Sequence, residues 1–411
     1  MFRWYKELGA DEKRSFWACF GGWATDALDV QIYSFVVPAL ISLWNLSKAD
    51  AGLLATSALL LSAFGGWTAG ILADRIGRVR MLQITIAWFS VFTFLSGLSS
   101  NFGQLLVIRG LQGLGFGGEW AAGSVLMAEV IRSEHRGKAV GIVQSAWSLG
   151  WAVAALLATG CFQLLSQAYA WRALFFVGIA PALLIFFIRR TVPEPAVFRE
   201  AKGGQKYIAT GVWSIFVPKM LFRTAFGSLL AIGAQGGYYA ITNWLPTFLR
   251  SERHLTVLGS GAYLAVIIAG SFVGYLTSAY LSDLLGRRLN FILFAACSIL
   301  VVVGYTQLKI DDRLMLYLGF PLGFFASGIF SGTGAFYSEL FPTNIRGAAQ
   351  GFCYNFGRGM AAVFPWFVGV LSAFLPLGRA IGIYAIIAYA MVTVAALVLP
   401  ETKGRDLRQV T

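Results

Sequence analysis

The chain has 411 residues, of which 57% are hydrophobic and only 12% are charged, and its formal net charge is +13. A soluble protein carries charge on roughly a quarter of its residues, so this composition favours a protein embedded in lipid and argues against a soluble one. The sign of the charge alone would also fit a nucleic-acid partner, and the distribution of the charge along the chain decides between the two.

Apolar stretches long enough to cross a bilayer as helices recur from one end of the chain to the other. In lipid the backbone must satisfy its own hydrogen bonds, so each stretch is predicted to be a transmembrane helix. The short alternating segments typical of a β-barrel are not seen. The sequence therefore predicts an all-α membrane protein with twelve spans: 16–44, 51–73, 81–99, 103–131, 137–161, 170–188, 222–249, 257–281, 290–308, 314–340, 346–375 and 378–399.

The lysines and arginines are distributed unevenly between the two sides of the membrane. With the N-terminus placed inside, the cytoplasmic segments hold 23 of the 32, the outer loops hold 7, and Arg109 and Arg358 fall inside helices. This bias is the positive-inside rule, which predicts that both termini are cytoplasmic. The charge therefore reports topology, and we expect no nucleic-acid partner.

The first span carries two carboxylates, Asp26 and Asp29, in the stretch GGWATDALDVQIYSF, roughly 15–20 Å from its cytoplasmic end. A charge at mid-bilayer costs at least ~2.5 kcal/mol, so both acids are expected to face a cavity or a partner. They are three residues apart and share a helix face, and at low dielectric one of them is predicted to hold a proton. The alternative is a structural ion pair, for example of Asp29 with an arginine.

The loop after the second span reads GILADRIGRVR, and the loop after the eighth span reads SAYLSDLLGRRLN, at an offset of 209 residues from Asp74 to Asp283. The ends of the fourth and tenth spans match at an offset of 210 residues, which pairs Glu129 with Glu339. VPEP after the sixth span likewise echoes LPET after the twelfth. These matches predict two pseudo-symmetric six-helix bundles, repeated in parallel, that rock around a site at their interface.

The fourth span, which contains RGLQGLGFGGEW, carries Arg109 near its outer part and Glu119 at mid-depth, roughly 18 Å from the cytoplasmic end. Glu119 is a third candidate for proton coupling. Arg109 can grip a carboxylate with two hydrogen bonds, and its alternative role is a structural tether to a neighbouring helix. The glycines of this span and of the eighth are expected to let helices approach closely.

The longest segment between spans, roughly 189–221, is rich in Lys, Arg, Pro and Gly and divides the chain into two halves. The predicted domains are an N-terminal six-helix bundle at 1–190, a cytoplasmic linker at 191–221 and a C-terminal six-helix bundle at 222–411.

The eleventh span carries a lone cation, Arg358, about 18 Å deep, with Asn355 three residues before it. The corresponding position of the first half, 148, is a serine. We interpret Arg358 and Asn355 as an anchor for an anionic substrate. The alternative is a pairing of Arg358 with Asp26 or Asp29.

GILADRIGRVR resembles the loop signature of the major facilitator superfamily, RGLQGLGFGGEW its fourth-helix motif, and LPETKGRDL its usual ending after the twelfth helix. The resemblance covers nearly the whole chain. Within that superfamily, TDALDV, GGEW and YYAITNWLPTFL together resemble the sialate and metabolite proton symporters. In the first of these motifs the chain has Ala27 and Leu28, where sialate-type members commonly have Gly and Phe.

This resemblance implies an importer of a small organic acid anion, such as sialate, a monocarboxylate or an aromatic acid, that is coupled to protons and works by alternating access. It also implies a role for Arg109 in proton transfer or gating, and a cavity lined by the first and seventh helices. The candidates for selecting substrate in that cavity are Tyr33, Tyr238, Tyr239, Asn243 and Trp244. The implied cytoplasmic gating charges, whose alternative is solvated loop charge, are Asp74, Arg75, Arg78, Glu129, Asp283, Arg287 and Glu339.

Other functions remain open at this point. An exporter or antiporter of drugs or metabolites would use the same fold, but the fifth span, GIVQSAWSLGWAVAALLA, lacks the Gly-Pro motif of drug antiporters. A channel or sensor is disfavoured by the repeated loop motifs. The sequence shows no nucleophile–base pair, metal cluster or nucleotide motif, so we expect no enzyme activity and no cofactor other than protons as the coupling ion. The expected setting is a monomer in the inner membrane of a bacterium.

Overall fold

The computed structural model describes residues 3–131, 136–194, 215–308, 310–342 and 345–403. The twelve predicted spans are confirmed as helices, with their ends shifted by a few residues. A short helix, Arg3–Glu7, precedes the first span. In chain order the spans are Ala10–Trp44, Lys48–Ile76, Arg78–Ser96, Phe102–Val130, Arg136–Leu164, Gln167–Val177 with Ala182–Thr191, Pro218–Thr242 with Leu245–Ser251, Val257–Leu285, Arg287–Gln307, Asp312–Leu340, Arg346–Ala361 with Val363–Leu371, and Leu377–Val398.

Three of these spans, the sixth, seventh and eleventh, are built from two helical pieces. The break in each lies at or just before a proline: Pro181, Pro246 and Pro365. A proline has no backbone N–H and fits only the first turn of a helix, so each of these residues suits the start of the second piece. By length and hydropathy, nine helices in the described ranges qualify as membrane-crossing, and the broken seventh and eleventh spans are not among them. Broken spans expose backbone groups near mid-membrane, where transporters place their sites.

The two halves of the chain repeat one another in the helix starts at one end of the molecule. Ser47 and Asn101 cap the second and fourth spans, and each accepts a hydrogen bond from the backbone N–H three residues on. Thr256 and Asp311 do the same for the eighth and tenth spans. Ser, Thr, Asn and Asp are the preferred residues at such positions because their side-chain oxygens satisfy orphan N–H groups. The caps lie 209 and 210 residues apart, which matches the offset of the sequence motifs.

Glycines bring helices of the same half into backbone contact, as predicted. A methyl group added at Gly117 of the fourth span would lie 1.6 Å from the carbonyl oxygen of Ser62 in the second. In the other half, one added at Gly323 of the tenth span would lie 1.8 Å from the carbonyl oxygen of Ile267 in the eighth. Contacts this close are open only to glycine, and in lipid they supply much of the packing between helices.

The contact at Gly117 gives a direct test of this packing. Gly117→Ala is expected to lower the stability of the folded protein by about 1–3 kcal/mol, because the added methyl group forces the second and fourth spans apart. Gly160→Ala is the matched control, since a methyl group there would meet nothing within 4 Å. Thermal unfolding in detergent measures both variants, and equal melting temperatures would contradict the role of this seam.

The two halves meet along two seams, one between the second and eleventh spans and one between the fifth and eighth. Thr56 donates a hydrogen bond to the carbonyl oxygen of Ala362, 2.6 Å away, across the first seam. Glycines allow close approach at one end, at Gly52 against Pro365 and Gly261 against Thr159, and toward the other end at Gly141 against Ala279. The halves therefore touch on both sides of the centre, and a small cavity is left between them. Much of the predicted linker, 195–214, lies outside the described residues, so the domain boundaries stay a prediction.

Candidate functional site

A small cavity lies at the centre of the molecule, where the broken seventh and eleventh spans face the first and fifth. Its walls are mostly aromatic. One residue on its wall, Arg358, is charged among the described residues that line it. The aromatic residues on the wall are Trp23, Trp147, Tyr238, Tyr239, Tyr275, Phe330 and Tyr354.

Arg358 is fully buried, which is unusual for a residue that is always charged. Its Nε donates to Oε1 of Gln235 at 3.4 Å. Its guanidinium carbon lies 4.7 Å from the ring centre of Phe116 and 5.1 Å from that of Tyr354, at cation–π distance. Nη1 has no hydrogen-bond partner among the described residues. Arg358 therefore keeps a donor that an anion in the cavity can use.

Asp26 and Glu119 form a carboxyl–carboxyl contact between the first and fourth spans. Both side chains are buried, and no described donor reaches either oxygen of Asp26. Glu119 fits because the first span has Gly22 opposite it, where an added methyl group would lie 2.2 Å from Oε1. Two carboxyl groups in contact make a hydrogen bond only if they share a proton, and Arg358 lies within electrostatic reach of both. The pair is therefore a place where one proton can be bound and released.

Asp29 has a different environment, although it is only one helical turn from Asp26. Thr93 and Gln112 both donate hydrogen bonds to its carboxylate. Gln112 in turn accepts a hydrogen bond from Arg109, whose guanidinium also stacks over the ring of Tyr33 at 4.7 Å. The negative charge of Asp29 and the positive charge of Arg109 thus compensate each other, with Gln112 bridging the two side chains. This arrangement corresponds to the ion-pair alternative for Asp29.

Some of the predicted aromatic and amide substrate residues line the cavity, and others hold the neighbouring helices together. Tyr239 lines the cavity, and Tyr238 links the halves, because its hydroxyl accepts a hydrogen bond from Trp147 of the fifth span at 2.5 Å. Asn243 and Trp244 lie at the break of the seventh span. There Trp244 donates to the carbonyl oxygen of Pro365 at 2.9 Å and so ties this break to that of the eleventh span.

Two more predicted substrate residues lie away from the cavity around Arg358. The hydroxyl of Tyr33 donates to the backbone carbonyl of Ala51 in the second span. Asn355 lies in the seam between the second and eleventh spans, where a methyl group added at Gly66 would be 2.3 Å from its Oδ1. The structure therefore brings Arg358 together with Asp26, Glu119 and Tyr239. The predicted substrate residues that do not line its cavity are Tyr33, Asn243, Trp244 and Asn355.

The charges at the loop motifs of the second half form a compact cluster. Arg287 binds Glu339 through two hydrogen bonds of 3.0 and 3.2 Å. Glu401, in the LPET segment, accepts the backbone N–H groups of Arg287 at 2.9 Å and Arg288 at 3.0 Å. Burial alone would raise the pKa of Glu401, but four backbone hydrogen bonds outweigh it and lower that pKa, so Glu401 remains charged as the pH falls.

The first half repeats this arrangement. Glu194, in the VPEP segment, accepts the backbone N–H groups of Arg78 at 2.9 Å and Arg80 at 3.1 Å. Both carboxylates approach a loop glycine in the left-handed region, Gly77 at φ 114° and Gly286 at φ 96°. A side chain at either glycine would also collide with its carboxylate. The side chains of the other predicted gating residues, Asp74, Arg75, Glu129 and Asp283, lie outside the described part of the structure.

The sequence interpretation missed the polar residues that support the charges. Gln112 and Thr93 bind Asp29, and Gln235 binds Arg358. Both glutamines interrupt glycine-rich apolar stretches, RGLQG and GAQGG. An amide in a transmembrane helix is itself a signal, because it must find a partner within the protein.

Comparison with known proteins agrees with this architecture. The family model of the Major Facilitator Superfamily matches residues 19–312. A protein named as the probable 4-methylmuconolactone transporter of Cupriavidus pinatubonensis is 46% identical, over 98% of this chain and 94% of its own length. The cis,cis-muconate transport protein of Acinetobacter baylyi is 33% identical, over 97% and 96%.

Among solved structures, a proton:xylose symporter bound to 6-bromo-6-deoxy-D-glucose superposes with a TM-score of 0.77 at 20% identity. The match covers 97% of this chain and 98% of that one, which shows a shared fold. The chain thus has twelve spans in two repeated halves with a charged site between them, and the family model matches most of its length. The chain belongs to the major facilitator superfamily of membrane transporters.

Proposed function

We propose that this transporter imports a small organic acid anion together with protons, by alternating access, as a monomer in the inner membrane of a bacterium with both termini in the cytoplasm. The substrate classes are sialate, a monocarboxylate or an aromatic acid, and protons are the coupling ion, with no other cofactor. The observation that carries this proposal is the buried contact of Asp26 with Glu119, within electrostatic reach of Arg358, which lines a cavity between the two halves.

The chemistry of that contact supplies a coupling mechanism. When both carboxyl groups are charged, they repel each other and also compete with an incoming anion for Arg358. A proton bound between Asp26 and Glu119 removes one negative charge and leaves the positive charge of Arg358 for the substrate carboxylate. The bound anion in turn favours the protonated pair, because the two binding events are linked and act on each other equally. Proton and anion would therefore cross together.

Asp29 and Arg109 have a supporting role in this mechanism. Their bridge through Gln112 joins the first and fourth spans, and Thr93 adds the third. They are the pair that keeps Asp26 and Glu119 opposite each other while the halves move. The cluster of Arg287 with Glu339, and its counterpart around Arg78, are proposed to close the cytoplasmic side when the cavity opens outward, together with Asp74, Arg75, Glu129 and Asp283.

The relatives support the substrate class. The names of the two similar proteins described above refer to a muconolactone, which has one carboxylate, and to muconate, which has two; both are small unsaturated organic acids. The protein named for the muconolactone is the more similar of the two, at 46% against 33% identity. The buried arginine that lines the cavity of this chain, Arg358, suits a carboxylate.

Uptake by purified protein in liposomes tests the proposal. Muconate, 4-methylmuconolactone, benzoate, lactate and sialate are offered in turn, with and without an acid exterior. We expect at least one of these carboxylates to accumulate faster when protons flow inward, and a protonophore to remove the acceleration. Uptake that is indifferent to the gradient would exclude proton coupling. Carboxylate efflux driven by inward proton flow would favour the antiporter, and no transport of any carboxylate would reject the organic acid class.

A further inference from the structure

We propose, building on the proposed function, that the central cavity selects flat unsaturated acids with a single carboxylate and discriminates against dicarboxylates and polyhydroxylated acids. The supporting observations are the number of available cations, the position of the acid pair, and the engagement of the hydroxyl groups on the wall.

A single carboxylate can be anchored in this cavity. Arg358 has one nitrogen, Nη1, without a hydrogen-bond partner in the described ranges. The other arginine near the centre, Arg109, is engaged by Gln112 and Tyr33 and borders a separate recess beside Asp29. Among the described residues that line the cavity, an acid with two carboxylates would therefore find one cation and no second.

The second carboxylate of such an acid would also meet like charge. Asp26 and Glu119 lie on the first-half side of Arg358, within its electrostatic reach. One proton neutralises only one of these two carboxylates. The other keeps its negative charge and would repel a second carboxylate of the substrate. Like charges brought together at a desolvated site cost several kcal/mol, which is enough to exclude a partner.

The walls favour a flat ring over a sugar acid. The hydroxyl of Tyr238 accepts a hydrogen bond from Trp147. The hydroxyls of Tyr275 and Tyr239 are within hydrogen-bonding reach of Ser327 and Arg358, respectively. The wall also has the amide of Gln144, and these are too few polar groups for the many hydroxyls of a sialate. The ring of Phe330 stands nearly perpendicular to that of Tyr238, at 5.5 Å and 86°. Rings arranged in this way accept another π-system edge-on or face-on.

Three acids test the two preferences separately. Benzoate and terephthalate differ in the number of carboxylates, whereas benzoate and cyclohexanecarboxylate differ in the flatness of the ring. Sialate is the polyhydroxylated comparison. Calorimetric titration of the detergent-purified protein gives their affinities without requiring transport. Benzoate is expected to bind about two- to tenfold more tightly than cyclohexanecarboxylate, the increment typical of a ring–ring contact. It is expected to bind at least about 100-fold more tightly than terephthalate.

Variants connect these preferences to residues. Phe330→Leu should weaken benzoate while leaving cyclohexanecarboxylate unchanged, and Phe320→Leu, which alters a half-exposed ring of the same span, should change neither. Arg358→Gln should weaken benzoate by roughly 10–100-fold, the effect of losing a charged hydrogen bond. Arg253→Gln, at the outer surface, is the control for that change. Glu119→Gln should narrow the gap between benzoate and terephthalate.

The outcomes separate this inference from the proposed function. If terephthalate, cyclohexanecarboxylate or sialate binds as tightly as benzoate, or if sialate or the dicarboxylate muconate is the acid taken up, the selectivity is overturned while organic acid transport stands. If the wild-type protein neither binds nor transports any of the acids, the proposed function itself fails, and the selectivity fails with it.

Discussion

Glu119→Gln and Asp26→Asn are each expected to abolish the acceleration of substrate uptake by an inward proton gradient. Either change removes one of the two carboxyl groups that share the proton, while shape and hydrogen-bonding capacity are nearly kept. Coupling between two ligands is typically a factor of 5–150, so the ratio of uptake with and without the gradient should fall from that range to about one. Exchange of substrate across the membrane should persist, since Arg358 and the aromatic wall are intact.

A third variant disturbs the same contact without altering either acid. Gly22→Ala would put a methyl group 2.2 Å from Oε1 of Glu119, so it should displace that side chain and reduce coupling in the same assay. Gly160→Ala again serves as the control, because it adds the same methyl group in open space. Full gradient dependence in both acid variants would show that the proton binds elsewhere.

Asp29→Ala is expected to destabilise the folded protein by about 3–5 kcal/mol, the usual result of leaving a buried cation without its partner. Arg109 is 3% exposed and has Asp29 as its nearby counter-charge. Asp26→Asn should have a much smaller effect, because it removes one of two like-charged groups. Thermal unfolding in detergent measures the difference between these neighbouring residues.

A double-mutant cycle makes this expectation specific. Arg109→Ala alone should be destabilising as well, and the variant with both alanines should lose less stability than the sum of the two, with a coupling of about 0.5–3 kcal/mol. If the two losses of stability simply add, Asp29 and Arg109 do not stabilise each other through Gln112. Asp29 would then be available for proton coupling in place of its structural role.

The fold could be predicted from the sequence because the bilayer restricts which segments can cross it. A helix must be long and apolar to cross the bilayer, and basic residues stay inside, so the spans and the two repeated halves could be predicted. The breaks in the seventh and eleventh spans were missed because Asn243 and Ala362 carry no strong preference against helix. Pro246 and Pro365 were the available signal, since proline restricts the residue before it and removes an N–H.

The charges of the site could be identified, but their partners could not. Sequence spacing placed Asp26 and Asp29 on one face of a helix and suggested that they act on each other. In the structure each turns to a different neighbour, Glu119 for the first and Gln112 for the second. That choice depends on how the fourth span packs against the first, where Gly22 leaves room for the side chain of Glu119. Spacing along one helix contains no information about it.

The two pieces of the seventh span are fastened to different parts of the molecule. The outer piece, Leu245–Ser251, is followed by Glu252, which accepts the backbone N–H groups of Leu377 and Gly378 at the start of the twelfth span. The inner piece carries Tyr238, which is bonded across the interface to Trp147. Under the proposed alternating access, the outer piece would move with the twelfth span and the inner piece with the fifth, and the break at Asn243 would absorb the difference between them. A single transmembrane segment would then link the two sides of the cavity without moving as one rigid rod.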